Sequence, residues 1–340
     1  MTKRIPSLLA FLCIASLAFS QRTANISYGA GVVNYIGDLG NEKNFPLSSA
    51  NLGMEVTVRD FLNNPEKSHV LNRPFGVEAR FSWHRLQYDE TTPLGGKEGI
   101  QLRNYHRGLN FRNDLFGFSA NATYTYYANR YRPLYKQKFA FFLLAGVGVF
   151  YGTPKADLFK GSVDLKNRYY YWNDGTIHDV DERSGLTGNI IQKDGVYETK
   201  LPDWHTEGQG KGGETASKKP YSTVNIGFPM GIGVRYGWNK NITVSAELDY
   251  YYFITDYLDD VSDRYATYDE LAAAFPDNND YELSKYITDP TGYGSSGEIN
   301  VATSPRGNPQ LKDAFTFFSL EVAYKITLRQ KGVYGQLAKN

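Results

Sequence analysis

The stretch Leu52-Gly53-Met54-Glu55-Val56-Thr57-Val58-Arg59 decides the fold. Leu52, Met54, Val56 and Val58 are apolar, and between them stand Gly53, Glu55, Thr57 and Arg59. A period of two marks a β-strand, because successive side chains point to opposite faces. One face of this strand is greasy, and the other carries charges of both signs. The same period returns in seven further segments. Charges on the second face of strand after strand predict a barrel that is oily outside and polar inside. That is how strands cross a bacterial outer membrane.

The N-terminal residues fit this reading. Lys3 and Arg4 precede an apolar run over 8–19, and Ala18 and Ser20 place small residues before a cut at Gln21. Residues 1–20 read as a secretory signal peptide, too short for a spanning helix. Cys13 lies inside it behind Ala10, Phe11 and Leu12, and bulky residues there do not suit a lipoprotein cleavage site. The mature chain is therefore expected to lack cysteine, disulfides and thiolate chemistry. No other run reaches the roughly 20 apolar residues of a membrane helix. The longest, 139–151, is short and broken by Gly146 and Gly148. Mean hydropathy is −0.47, which excludes a helical membrane protein. It does not exclude a barrel, whose lipid-facing residues are diluted by lumen and loops. Aromatic content is 15%, with 27 tyrosines, as interfacial girdles require. The net charge of +1 gives no basis for nucleic-acid binding.

Alternation predicts strands over 24–36, 52–59, 75–86, 115–127, 139–151, 223–237, 242–253 and 314–328. If the first rises from the periplasm, the connections after the first, third, fifth and seventh strands face outward. The last two of these, 152–221 and 254–312, are very long, whereas those after the fourth and sixth strands are short. Outer-membrane barrels have short periplasmic turns and longer outer loops. The fold class is therefore all-β, an eight-stranded antiparallel transmembrane β-barrel with long extracellular loops. The barrel covers 21–328, and 329–340 form a short periplasmic tail. Within the last loop, Thr267-Tyr-Asp-Glu270 followed by Leu271 and Ala272 reads as a capping box opening a short helix that Pro276 stops.

An eight-stranded barrel is just wide enough for its side chains to fill. The inward set holds Glu55, Arg59, Glu78, Arg80, Arg235, Glu247, Asp249, Glu321 and Lys325. Unpaired, each would cost several kcal/mol in a narrow dry lumen. A network of paired charges plugging the barrel is expected, with a polar path for a small solute as the alternative. An open porin would need roughly 16 strands.

No catalytic, cofactor-binding or metal-binding residues are assigned. Gly208-Gln-Gly210-Lys-Gly212-Gly213 matches a dinucleotide pattern but has no preceding strand, so it reads as a flexible loop. The five histidines are scattered, and no G-x-S-x-G elbow exists. Ser82 and His84 share a face, the nearest approach to a hydrolase dyad. The densest acidic cluster, Thr255-Asp-Tyr-Leu-Asp-Asp-Val-Ser262, lacks the glycine-turned loop of a calcium site. Asp38, Asp256, Asp259 and Asp260 are expected to hold loops at the barrel mouth by accepting backbone N–H bonds, or to contact a partner. On the opposite side, Arg130, Arg132, Lys136, Lys138, Arg329 and Lys331 form a basic rim suited to lipid head groups or an acidic periplasmic partner.

Five stretches carry a resemblance. They are Tyr35-Ile-Gly-Asp-Leu-Gly40, Leu109-Asn-Phe-Arg-Asn-Asp114, Gly146-Val-Gly-Val-Phe150, Thr206-Glu-Gly-Gln-Gly210 and the acidic octet 255–262. Together they resemble the PorG-like outer-membrane β-barrel family of Bacteroidota, over nearly the whole mature chain. The resemblance implies an eight-stranded barrel integral to the outer membrane, without catalytic residues. It also implies association with the periplasmic ring proteins of the type IX secretion system. The alternative is a small barrel for surface binding or membrane integrity, without a secretion role. The partners expected are outer-membrane lipid and those ring proteins, with no nucleic acid.

Overall fold

The computed structural model describes residues 23–40, 50–61, 72–91, 104–210, 220–294 and 305–327. The signal segment 1–20, the tail 329–340, Arg329, Lys331 and the glycines at 212 and 213 lie outside them. Eight long strands form the wall: β1 (Thr23–Ile36), β2 (Asn51–Phe61), β3 (Phe75–Asp89), β4 (Asn110–Tyr126), β5 (Phe139–Tyr151), β6 (Val224–Gly237), β7 (Ile242–Phe253) and β8 (Ala314–Thr327). Each pairs antiparallel with the next, and β8 returns to pair with β1, so the sheet closes on itself. Closure leaves no edge strand, the condition for strands to cross a bilayer. Among the described residues, no helix is long and apolar enough to cross a membrane.

The alternation expected from the sequence is realised. Leu320, 59% exposed, shares the outer face with Val147, Ile232, Phe118 and Val56. That apolar belt has no protein cover, so lipid is its solvent. Exposed Phe75, Tyr124, Tyr126, Phe139 and Tyr324 ring the belt at the short-turn end, where amphipathic rings sit at head-group level. The chain is an integral barrel of the outer membrane.

β3 and β4 run further than alternation predicts, to Asp89 and from Asn110. Residues 110–113 pair with 86–89 above the apolar belt, so a segment expected as loop is wall. A four-residue helix, α1 (Leu134–Gln137), makes the β4–β5 turn. The two longest outer loops fold together into a cap. The cap contains α2 (Tyr268–Ala274), opened by the expected capping box of Thr267 and Glu270, and α3 (Asn278–Thr288), capped by Asp277. Leu158, Phe159, Leu201, Leu258, Val261, Leu283 and Ile287 are its buried core. Loops of this length persist in an ordered protein because they bury a core of their own.

Candidate functional site: the lumen and its outer mouth

Three layers fill the barrel. The outermost is apolar and aromatic: Phe150, Tyr251, Phe253, Phe315 and Phe317 are fully buried. Tyr251 stacks on Phe315 with centroids 4.5 Å apart. His84 lies in this layer, 4.7 Å from the Phe317 ring, and neither ring nitrogen has a hydrogen-bond partner among the described residues. A dyad with Ser82 is thus not formed.

The middle layer holds the charges. Register brings Arg80 on β3 to the centre. Its guanidinium lies 3.1 Å from Glu55, 2.9 Å from Glu78, 2.6 Å from Glu247 and 2.5 Å from Asp249. Arg59 reaches Glu78 at 2.8 Å and Glu321 at 3.4 Å. Ser27 donates to Glu321 at 2.8 Å. Asp249, named among the lumen residues from its parity, shares this layer and is completely buried.

Below lies Arg235, and here the sequence reading needs correction. Arg235 is buried in the lumen but forms no ion pair among the described residues. Its register partners are Ser245 and Ala140, nearer the short-turn end. Its guanidinium caps the Phe142 ring at 3.8 Å and donates to the Thr125 hydroxyl. Lys325 also departs from expectation. It is exposed at the barrel end, where its amine stays in water. Aromatic rings above and the Arg235–Phe142 contact below close the lumen.

The second cluster lies at the outer mouth. Two buried arginines that sequence reasoning did not single out, Arg107 and Arg306, organise it. Arg107 donates to Glu90 at 2.7 Å, to the Arg306 carbonyl at 2.6 Å and to the Asp38 carbonyl at 3.0 Å. Arg306 donates to the Asp260 carboxylate at 3.0 Å and approaches Glu207 at 3.5 Å. Asp260 also accepts from Thr206 at 2.7 Å and from Tyr221 at 2.5 Å. Glu207 accepts from Ser262 N at 2.8 Å and from Asp263 N at 3.1 Å. Asp259 accepts from Val261 N at 2.9 Å and from the Tyr35 hydroxyl. Asp38 accepts from Asn308 N at 2.9 Å. Asp256 caps no amide among the described residues and faces Lys312 at 4.0 Å. Asn113 donates to the Leu258 carbonyl at 2.8 Å. Four of the five stretches that carried the resemblance therefore meet at one place, and all four outer loops are tied together.

Burial pushes the Asp38 carboxyl up to about 6. It also holds Asp259 and Asp313 well above the ordinary carboxylate range, and the charge of Asp259 pushes Asp313 further. Glu207, in the Thr206-Glu-Gly-Gln-Gly210 stretch, and Asp313, just before β8, were visible only as single acidic residues in loops. Gly208 takes a positive φ of 75°, and a Cβ there would meet the Glu270 carboxylate at 2.9 Å. This half of the glycine-rich stretch is packed cap.

No family model matches this sequence, and no curated protein matches it. Solved outer-membrane proteins do. The chain is similar to OprG of Pseudomonas aeruginosa at 9% identity, over 90% of this chain and 96% of that one, with a TM-score of 0.35. It is similar to a major outer membrane protein of Thermus thermophilus at 12% identity, over 89% and 99%, with a TM-score of 0.33. It is similar to Ail of Yersinia pestis at 10% identity, over 90% and 99%, with a TM-score of 0.32. The fold assignment stands on the closed ladder and the apolar belt.

Proposed function

We propose that this protein is a non-enzymatic outer-membrane anchor that holds a folded cap outside and a basic rim inside, and that it organises a type IX secretion assembly. The observation that carries the reading is the locking of all four outer loops by Arg107 and Arg306 into one body. A barrel whose lumen is filled and whose loops are tied to each other suits a fixed platform better than a conduit. The exposed rim of Arg130, Arg132, Lys136 and Lys138 at the short-turn end suits an acidic periplasmic surface or lipid head groups. The secretion role follows from the resemblance of the loop motifs. Crosslinked pulldown of the tagged protein from native outer membranes, read by mass spectrometry, tests it. Recovery of periplasmic ring proteins is expected. Their absence, with the barrel folded and abundant, would sink it.

A second reading, a barrel for surface binding, has its own observation. A polar cleft of about 270 Å³ opens in the cap between 168–183 and α3, lined by Arg168, Tyr170, Arg183, Tyr268 and Lys285 among others. In that case deletion of the gene leaves secretion intact.

A further inference from the structure

The middle layer of the lumen is short of positive charge. Among the described residues it holds five buried carboxylates, Glu55, Glu78, Glu247, Asp249 and Glu321. Against them stand Arg59 and Arg80, with Arg235 a layer away on Phe142. The carboxylates are not equally served. Glu55 and Glu247 each turn one oxygen to Arg80, while Glu55 Oε1 and Glu247 Oε2 have no hydrogen-bond donor among the described residues. Glu321 accepts from the Ser27 and Ser245 hydroxyls at 2.8 and 3.3 Å, but its charged contacts, both to Arg59, are 3.4 Å, long for a charge-assisted bond.

These three glutamates converge. One carboxylate oxygen from each lies within 4.8 Å of the other two. Gly29 allows it. A Cβ there would sit 2.8 Å from Glu55 Oε1, so Glu55 leans across β1 toward Glu321, the register partner of Gly29 on β8. A second feature points to the same spot. Ser319 Oγ is fully buried and has no hydrogen-bond partner among the described residues. Ser319 is the register partner of Glu247 and stands two residues before Glu321 on the same inward face.

We propose that the lumen binds a hard divalent cation, best matched by Ca²⁺, between Glu55, Glu247 and Glu321, with Ser319 Oγ as a further donor. The donors are all oxygen, which selects hard cations. Oxygens within 4.8 Å of one another can share a cation, and the flexible coordination of Ca²⁺ at about 2.3–2.6 Å suits a site held by three strands better than the near-ideal octahedron and retained waters that Mg²⁺ demands. The ion's charge offsets the surplus of carboxylates in a closed lumen. The rings above and Arg235 below shut the layer off, so the ion is taken up as the barrel closes.

The test is refolding of the full mature chain into detergent with Ca²⁺, with Mg²⁺ or with EDTA. Expected for the Ca²⁺-refolded barrel is stoichiometric calcium after gel filtration into ion-free buffer, measured by atomic emission. Its heat-modifiable band on SDS gels should unfold at a higher temperature than the Mg²⁺ or EDTA samples. Glu247→Gln and Ser319→Ala should each lower retained calcium about tenfold or more, with the folded band still formed. If Glu247→Gln fails to fold, Ser319→Ala and the wild-type comparison still decide. Equal stability in all three buffers with no retained calcium overturns the proposal, the surplus charge then being neutralised by shared protons. Calcium that survives both lumen substitutions but is lost in Asp260→Asn would place the ion at the mouth and overturn it equally.

Discussion

Arg306 shows at residue scale how much a single buried guanidinium carries. Its removal leaves Asp260 and Glu207 buried beside each other without their counter-charge. Breaking such a pair from one side costs about 3–5 kcal/mol. Arg306→Ala should therefore loosen the cap, raising hydrogen exchange at 207 and 260–263, while the barrel band stays heat-modifiable. Arg183→Ala removes a half-exposed pair with Asp181, and such pairs contribute less than about 1 kcal/mol. The buried carboxyls also set a pH response. Burial pushes Asp38, Asp157 and Asp289 up to about 6, from 3.8 in the free side chain. Between those values the folded cap binds more protons than the unfolded chain, so stability rises as pH falls through that window. The advantage is lost as pH rises through 6. Protease resistance of the cap is expected to be higher at pH 5 than at pH 7.5, the protease's own pH dependence being corrected on an unfolded substrate. The opposite order would show that these groups are not buried as described.

The strands obey a different accounting. Outward positions see lipid, and inward positions see only other side chains. Leu320→Arg on β8 should cost about 2–4 kcal/mol, as charged residues do at the bilayer midplane, measured by urea titration in lipid vesicles. Leu311→Arg, exposed in the outer loop, should change stability by less than about 0.5 kcal/mol. β5 and β7 were legible to the residue: β7 because apolar and polar residues alternate over 242–249, and β5 because 139–151 is an apolar run in which Gly146 and Gly148 alternate with Val147 and Val149. β4 was not, because Asn110-Phe-Arg-Asn-Asp114 is written in turn formers and charges. That segment is strand because β3 pairs with it and because Asn110 exchanges two hydrogen bonds with Asp157, at 3.1 and 2.8 Å. Both partners are distant in sequence.

The whole molecule is a filled cylinder with a folded lid. Among the described residues its lumen-facing aromatic and charged side chains are buried, so reconstituted protein should show no stable conductance of porin size in planar bilayers. A steady open channel would mean that the aromatic layer around Tyr251 and Phe315 yields. The cap is where sequence reading fell furthest short. Arg107 and Arg306 are 199 positions apart, and nothing local marks either as the partner of Asp38 or Asp260.

The sequence alone determined the wall: strand count, inward and outward faces, and the membrane as solvent. It could do so because a period of two is local chemistry, repeated until one face matches lipid. Only the tertiary structure decided which charges meet. Closure and register set the height of each inward side chain, bringing Arg80 among four carboxylates and leaving Arg235 on a phenylalanine. The same closure gathers four loops at one mouth, where buried arginines can tie them. Pairing across a barrel depends on distances that no stretch of chain encodes by itself.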